Sequence, residues 1–138
     1  MKKSVIALGL TSLLSFNAIA ASQTSSAEGA KVYIISPAAG ETVPQTFAVK
    51  FGLSGMGVAP AGTEKANTGH HHLLIDGNEL PALDQPMKNE VKHFGGGQTE
   101  TSLTLSPGTH TLQLVLGDKA HVPHNSPVIS EKITITVK

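Results

Sequence analysis

Thr99-Glu100-Thr101-Ser102-Leu103-Thr104-Leu105-Ser106-Pro107-Gly108-Thr109-His110-Thr111-Leu112-Gln113-Leu114-Val115-Leu116 reads as two strands folded about a tight corner. Thr99, Thr101, Leu103 and Leu105 share one face of the first strand. His110, Leu112, Leu114 and Leu116 share one face of the second, with Thr109, Thr111, Gln113 and Val115 on the other. A repeat of two is the strand period, because successive side chains leave a pleated backbone on opposite sides. Ser106-Pro107-Gly108 combines a residue of fixed φ with one free to take positive φ, which is the chemistry of a turn.

The same pattern extends in both directions. Val32 to Ile35 forms a first strand, stopped by Ser36-Pro37 and Gly40, and Phe47, Val49, Phe51 and Leu53 alternate with Ala48, Lys50 and Gly52. His70 to Asp76 sets Leu73 and Ile75 on one face and Leu74 on the other, Leu80 to Leu83 is expected as a short edge strand, and Val128 to Val137 closes the chain. Gly-, Ala- and Pro-rich stretches separate these runs, and no helical period occurs after the leader. The expectation is an all-β, immunoglobulin-like β-sandwich of six or seven strands with no helix in the mature domain, filling residues 31–138 as a single domain. A small barrel is the competing architecture. In immunoglobulin order the strands are A (32–35), B (47–53), C (70–76), D (80–85), E (98–105), F (109–116) and G (128–137).

The first 20 residues read as a cleaved signal peptide. Lys2 and Lys3 precede the apolar run Val5 to Leu14, and Ala18-Ile19-Ala20 places small residues at the cleavage site. That run is too short to span a bilayer. Cleavage after Ala20 removes 20 of 138 residues and leaves 118, enough for one core without staples. Residues 21–30 lack a large apolar side chain and read as a flexible leader. The expected location is the periplasm. The chain has no cysteine, so no disulfide framework is available in that oxidising compartment. Removal of Lys2 and Lys3 leaves 8 Lys against 10 acidic residues, a formal charge of −2. Such a balance offers no footprint for nucleic acid or anionic lipid, and no membrane insertion is expected after processing.

Phe51-Gly52-Leu53-Ser54-Gly55-Met56-Gly57-Val58-Ala59-Pro60-Ala61-Gly62 and Asn67-Thr68-Gly69-His70-His71-His72-Leu73-Leu74-Ile75-Asp76 resemble a bacterial exported family catalogued as domain of unknown function 4399. The likeness continues through His93-Phe94-Gly95-Gly96-Gly97-Gln98-Thr99-Glu100, Gly108-Thr109-His110-Thr111-Leu112-Gln113-Leu114 and His121-Val122-Pro123-His124, and covers about Val32 to Val137. The resemblance implies a small exported bacterial domain and no particular activity.

All seven histidines lie between His70 and His124. In immunoglobulin topology the B–C, D–E and F–G connections emerge at one end of the sandwich. His70 to His72 begin strand C there, His93 lies in the D–E connection, and His121 and His124 lie in the F–G loop. Residues two apart on a strand face the same way, so His70 and His72 present two imidazoles to one point. Neutral imidazole is a ligand for zinc and copper. The candidate metal ligands are His70, His72, His93, His121 and His124. Asp118 is an oxygen donor or the partner that orients a ligand ring. Without cysteine there is no thiolate, and Met56 and Met87 are the soft donors of the mature chain.

Each feature also has a structural reading. His71 shares its face with Leu73 and Ile75 and is expected as a packed, hydrogen-bonded core residue. His110 follows the E–F corner and is expected to secure it through the backbone, as a tyrosine corner does. The remaining rings can equally form a hydrogen-bonded network that ties loops together. Gly52-Leu53-Ser54-Gly55-Met56 lacks the last glycine of a nucleophile elbow. No His-Glu-x-x-His helix occurs, and Gly95-Gly96-Gly97 has no following Lys to cradle phosphate. The glycines are expected to let backbone pass close to the His-bearing loops. Two functions stay open: a periplasmic domain holding a copper or zinc ion, and a non-catalytic cell-envelope interaction module that binds a protein or glycan and uses its histidines as scaffolding. A three-His metal with an open position can activate water, but no separate general base stands at a suitable spacing, so catalysis ranks last.

Overall fold

The computed structural model describes residues 22–138. The signal segment 1–20 and the expected mature terminus Ala21 lie outside the described residues. Nine strands occur among those described: β1 (Lys31–Ser36), β2 (Thr42–Val43), β3 (Thr46–Ser54), β4 (Gly57–Val58), β5 (Thr68–Ile75), β6 (Lys92–His93), β7 (Glu100–Thr104), β8 (Gly108–Gly117) and β9 (Ile133–Val137). No helix occurs among the described residues, and hence none long and apolar enough to cross a membrane.

The strands form two sheets, β1-β3-β7 and β2-β9-β8-β5-β4, with β6 paired onto β5. Apart from the short additions, this is strands A, B and E facing strands C, F and G, the all-β sandwich expected from the alternation. The count exceeds seven because β2, β4 and β6 are two-residue strands, each too short to leave a period in the sequence. Between the sheets lies a continuous core that includes Val49, Phe51, Leu73, Leu103, Leu112, Leu114, Leu116 and Ile135. Leu112, Leu114 and Ile135 are fully buried, as their registers require.

Register decides which histidines share a face. β5 and β8 are antiparallel, pairing His70 with Gly117, His72 with Val115 and Leu74 with Gln113. His71 and Leu73 therefore face the inner core. His70, His72 and Leu74 face out from the six-stranded sheet. That outer face is covered as well, because Leu74 and Val115 pack with Met87 and Val91 in a second, smaller cluster.

This covering corrects the expectation for strand D. Residues 80–85 form no strand. Pro81 has no N–H to contribute to a ladder, and the segment instead runs over the sheet to deliver Met87 and Val91 as a lid. Strand G is also shorter than expected, starting at Ile133, while Ile129 makes an isolated bridge with Val115.

The stretch read as a flexible leader is hydrogen-bonded to the domain at several points. Ser25 bridges Asn125, with Ser26 N–H bonded to Asn125 O and Asn125 N–H to Thr24 O, both at 3.0 Å. Thr24 donates to Asp118 at 2.8 Å. Gln23 donates to the carbonyls of Leu83 and Pro123. These contacts are polar and backbone-mediated, which is why a search for buried apolar residues passes over them.

Candidate metal centre

β5 supplies two rings from one face. His70 and His72 stand at i and i+2 with centroids 4.6 Å apart. Their burial is nearly complete, at 0% and 1% exposed. β6 adds the third: His72 is register partner to His93 across the antiparallel ladder, and their ring centroids are 5.1 Å apart. The fourth, His121, comes from the turn that follows β8, with its ring 5.1 Å from that of His70 and 4.5 Å from that of His93. One nitrogen from each of the four lies within 4.8 Å of one from every other.

Local backbone chemistry fixes each contributor. His121 has φ of 67°, a left-handed conformation unusual for a residue with a side chain. The turn that imposes it is held by Asp118. Its Oδ1 accepts the N–H groups of Ala120 and Val122 at 2.8 and 3.0 Å, and its carbonyl accepts the N–H of His121 at 2.9 Å. Burial disfavours the Asp118 charge, but hydrogen bonds from Thr24, Ala120 and Val122 outweigh it and hold its pKa below the usual value. On the other side, Met87 N–H donates to the His121 carbonyl at 2.9 Å. Two glycines make room. A Cβ on Gly117 would stand 2.4 Å from Cε1 of His72, and one on Gly95 would stand 2.3 Å from Cε1 of His93. The sequence marked Gly95 as a place of close approach but gave no such signal for Gly117.

Protonation is the second requirement of a ligand. Burial first, and then the neighbouring His121 and His93, push the His70 pKa down to about 4. Burial and the adjacent His70, His93 and His121 push His72 to about 3. Both rings are therefore neutral at pH 7, with a lone pair free to bind a cation.

The hydrogen bonds among the rings do not satisfy the cluster. His70 Nε2 lies 3.0 Å from His121 Nδ1 and 3.1 Å from His93 Nε2, so both contacts converge on one nitrogen, which has a single proton or a single lone pair. His70 Nδ1 and both nitrogens of His72 are buried with no partner. Among the described residues, the buried side-chain polar atoms without a hydrogen bond all belong to His70, His71 and His72. Such orphans cost free energy unless something else meets them. A tetrahedral cation would take up one nitrogen of His72 and relieve the crowded Nε2 of His70, while the nitrogens of the inward-facing His71 lie outside its reach: metal–nitrogen bonds of about 2.0 to 2.1 Å put ligand nitrogens about 3.3 Å apart, the scale of the contacts at His70.

The structure thus brings together His70, His72, His93 and His121 and leaves out two of the expected ligands. His124 is fully buried elsewhere, its Nδ1 3.4 Å from Leu116 O and its Nε2 3.1 Å from Thr68 O. There it ties the loop after β8 to the start of β5. Asp118 spends its carboxylate on the turn and on Thr24, and so positions His121 through the backbone rather than through a ring nitrogen. The cluster lies on the outer face of the sheet near the expected end of the sandwich.

His71 is in the core as expected, its centroid 5.2 Å from that of Phe51. It is not hydrogen-bonded, since neither ring nitrogen has a partner, and burial lowers its pKa to about 4. His110 secures the corner as expected: Nε2 is 2.8 Å from Ser106 O, and Nδ1 is 2.7 Å from the Asp76 carboxylate.

A family model described as Domain of unknown function (DUF4399) matches residues 49–138, a span that includes all four clustered rings. No curated protein and no solved structure matches the chain.

Proposed function

The chain belongs to the DUF4399 family, whose description assigns no activity, and from its own side chains we propose that it is a periplasmic binding domain for one copper or zinc ion, held by His70, His72, His93 and His121. The observation that carries this reading is the fully buried His72, neither of whose ring nitrogens has a hydrogen-bond partner, in a group of four imidazoles whose nitrogens lie within 4.8 Å of one another. A four-nitrogen donor set without thiolate or carboxylate suits Cu(II) and Zn(II) and disfavours calcium or magnesium, which take oxygen. The periplasmic part of the proposal rests on the signal-like first 20 residues. Four protein donors fill a tetrahedral shell and leave no open position for a water, so the proposed role is binding rather than hydrolysis.

The test is elemental analysis of protein purified from the periplasm without an affinity tag, followed by zinc and copper titration of the metal-stripped protein. One equivalent bound, with a raised melting temperature and loss of binding in His72→Ala, is expected. The second reading, an envelope interaction module whose histidines tie loops, draws on the contacts of His70 with His93 and His121. It predicts that neither metal raises the melting temperature and that His72→Ala unfolds the domain.

A further inference from the structure

The four donors are not equivalent. His70 and His72 are buried on β5, which is hydrogen-bonded to β8 along six register pairs. His121 is partly buried, and its backbone is held on both sides, N–H to Asp118 O and carbonyl to Met87 N–H. His93 alone is exposed. Its backbone is anchored by β6 and by the following Phe94, whose N–H bonds His71 O at 3.1 Å. Its ring lies back over Gly95, where no side chain blocks it, and its only hydrogen-bond contact is with His70 Nε2. Rotation about the His93 side chain would therefore uncover the cluster from the solvent side without moving any strand. Three donors are fixed in the wall, and one stands at the door.

We propose that His93 is the exchange ligand of the centre, and that the domain carries copper or zinc as transferable cargo rather than as a resident structural ion. This deepens the metal-binding reading and rests on it. The step is a ligand substitution without change of oxidation state. A lone pair from an incoming imidazole or thioether on another molecule forms a bond to the ion as the bond to the His93 nitrogen breaks, and His70, His72 and His121 keep hold until the second and third donors arrive. A structural ion would instead keep all four of its protein donors throughout.

The test is stopped-flow transfer of zinc from the loaded, untagged protein to a chromophoric chelator. The wild type, His93→Ala and His72→Ala are compared, and far-UV spectra confirm that each is folded. Transfer from the wild type should speed up with chelator concentration. His93→Ala should still load one ion and release it roughly tenfold faster or more, whereas His72→Ala should fail to load. If the wild type takes up no metal, the binding reading itself falls, and this inference with it. If the wild type loads but His93→Ala loses the ion as completely as His72→Ala, or releases it at the wild-type rate, binding stands and the exchange role is overturned.

Discussion

Gly117→Ala should damage the metal centre through a single methyl group. Gly117 is register partner to His70 on β8, and its φ is not in the left-handed region, so alanine meets no backbone strain there. The obstacle is space. The new Cβ would stand 2.4 Å from His72 Cε1, 2.9 Å from its Nδ1 and 3.0 Å from Met87 Cε. Carbon atoms pack at about 3.5 to 4.0 Å, so the ring must retreat by more than about 1 Å, and Met87 closes the route by which the methyl itself could yield. Metal–ligand distances tolerate only about 0.2 Å. Affinity for zinc, measured by competition with a chelator, should fall on the order of 10- to 100-fold or more, the scale seen when ligand orientation is lost. Urea unfolding of the metal-free protein should show a loss of about 1 to 3 kcal/mol from overpacking. Gly57→Ala is the control, since its Cβ would meet Thr68 Cγ2 at an ordinary 3.7 Å. A folded Gly117→Ala protein with zinc affinity within twofold of wild type would refute the placement of His72 in the site.

Stability without metal should fall in mild acid. His70, His71 and His72 have folded pKa values well below the ordinary 6.5, so their contribution is fully present above pH 6.5 and is lost as pH falls toward 4. Three protons taken up on unfolding would give a slope of up to about 4 kcal/mol per pH unit near pH 5, and urea titrations that show no slope between pH 6 and 4.5 would contradict the burial of these rings. His110 has the opposite sign: its bond to Asp76, and then its contact with Ser106 O, raise its pKa, so its contribution is present below pH 6.5 and fades as pH rises through the folded value. His110→Ala should cost about 1 to 2 kcal/mol for two lost hydrogen bonds, more at pH 6 than at pH 8, with zinc affinity unchanged in the same titration. Thr24→Val removes the hydroxyl bonded to Asp118 and should cost about 1 to 2 kcal/mol while weakening zinc binding, because the Asp118 turn sets His121; an unchanged affinity would show that the turn holds without the N-terminal segment.

The sandwich was legible because β3, β5 and β8 each bury one or both faces, and burial writes a period of two into sequence. Leu112, Leu114 and Leu116 announce the inner face, and parity alone assigns His71 inward and His70 and His72 outward. His93 and His121 followed from topology, which brings their connections to the same end as the start of β5. What parity cannot reach is a side chain on an irregular loop. His124 is three residues from His121, yet the loop doubles back after the Asp118 turn and aims it at the Thr68 and Leu116 carbonyls. Asp118 has the chemistry of a ligand, but a short carboxylate beside two free N–H groups satisfies them first. Leu80 to Leu83 carried strand-like apolar residues, yet Leu80 is exposed, and Met87 and Val91 further along the same connection cover Leu74 and Val115 without a ladder. Gly117 looked like a strand end, and its part in admitting the His72 ring depends on a contact across the fold.

Whether one metal ion sits among the four named imidazoles is tested most directly by an anomalous-scattering map from crystals of the zinc-loaded, untagged protein. The expected result is a single strong peak about 2.0 to 2.1 Å from one nitrogen each of His70, His72, His93 and His121. A zinc peak that has His124 or Asp118 in its shell, or a map with no peak near His72 while His70 keeps its contacts with His93 and His121, would contradict it.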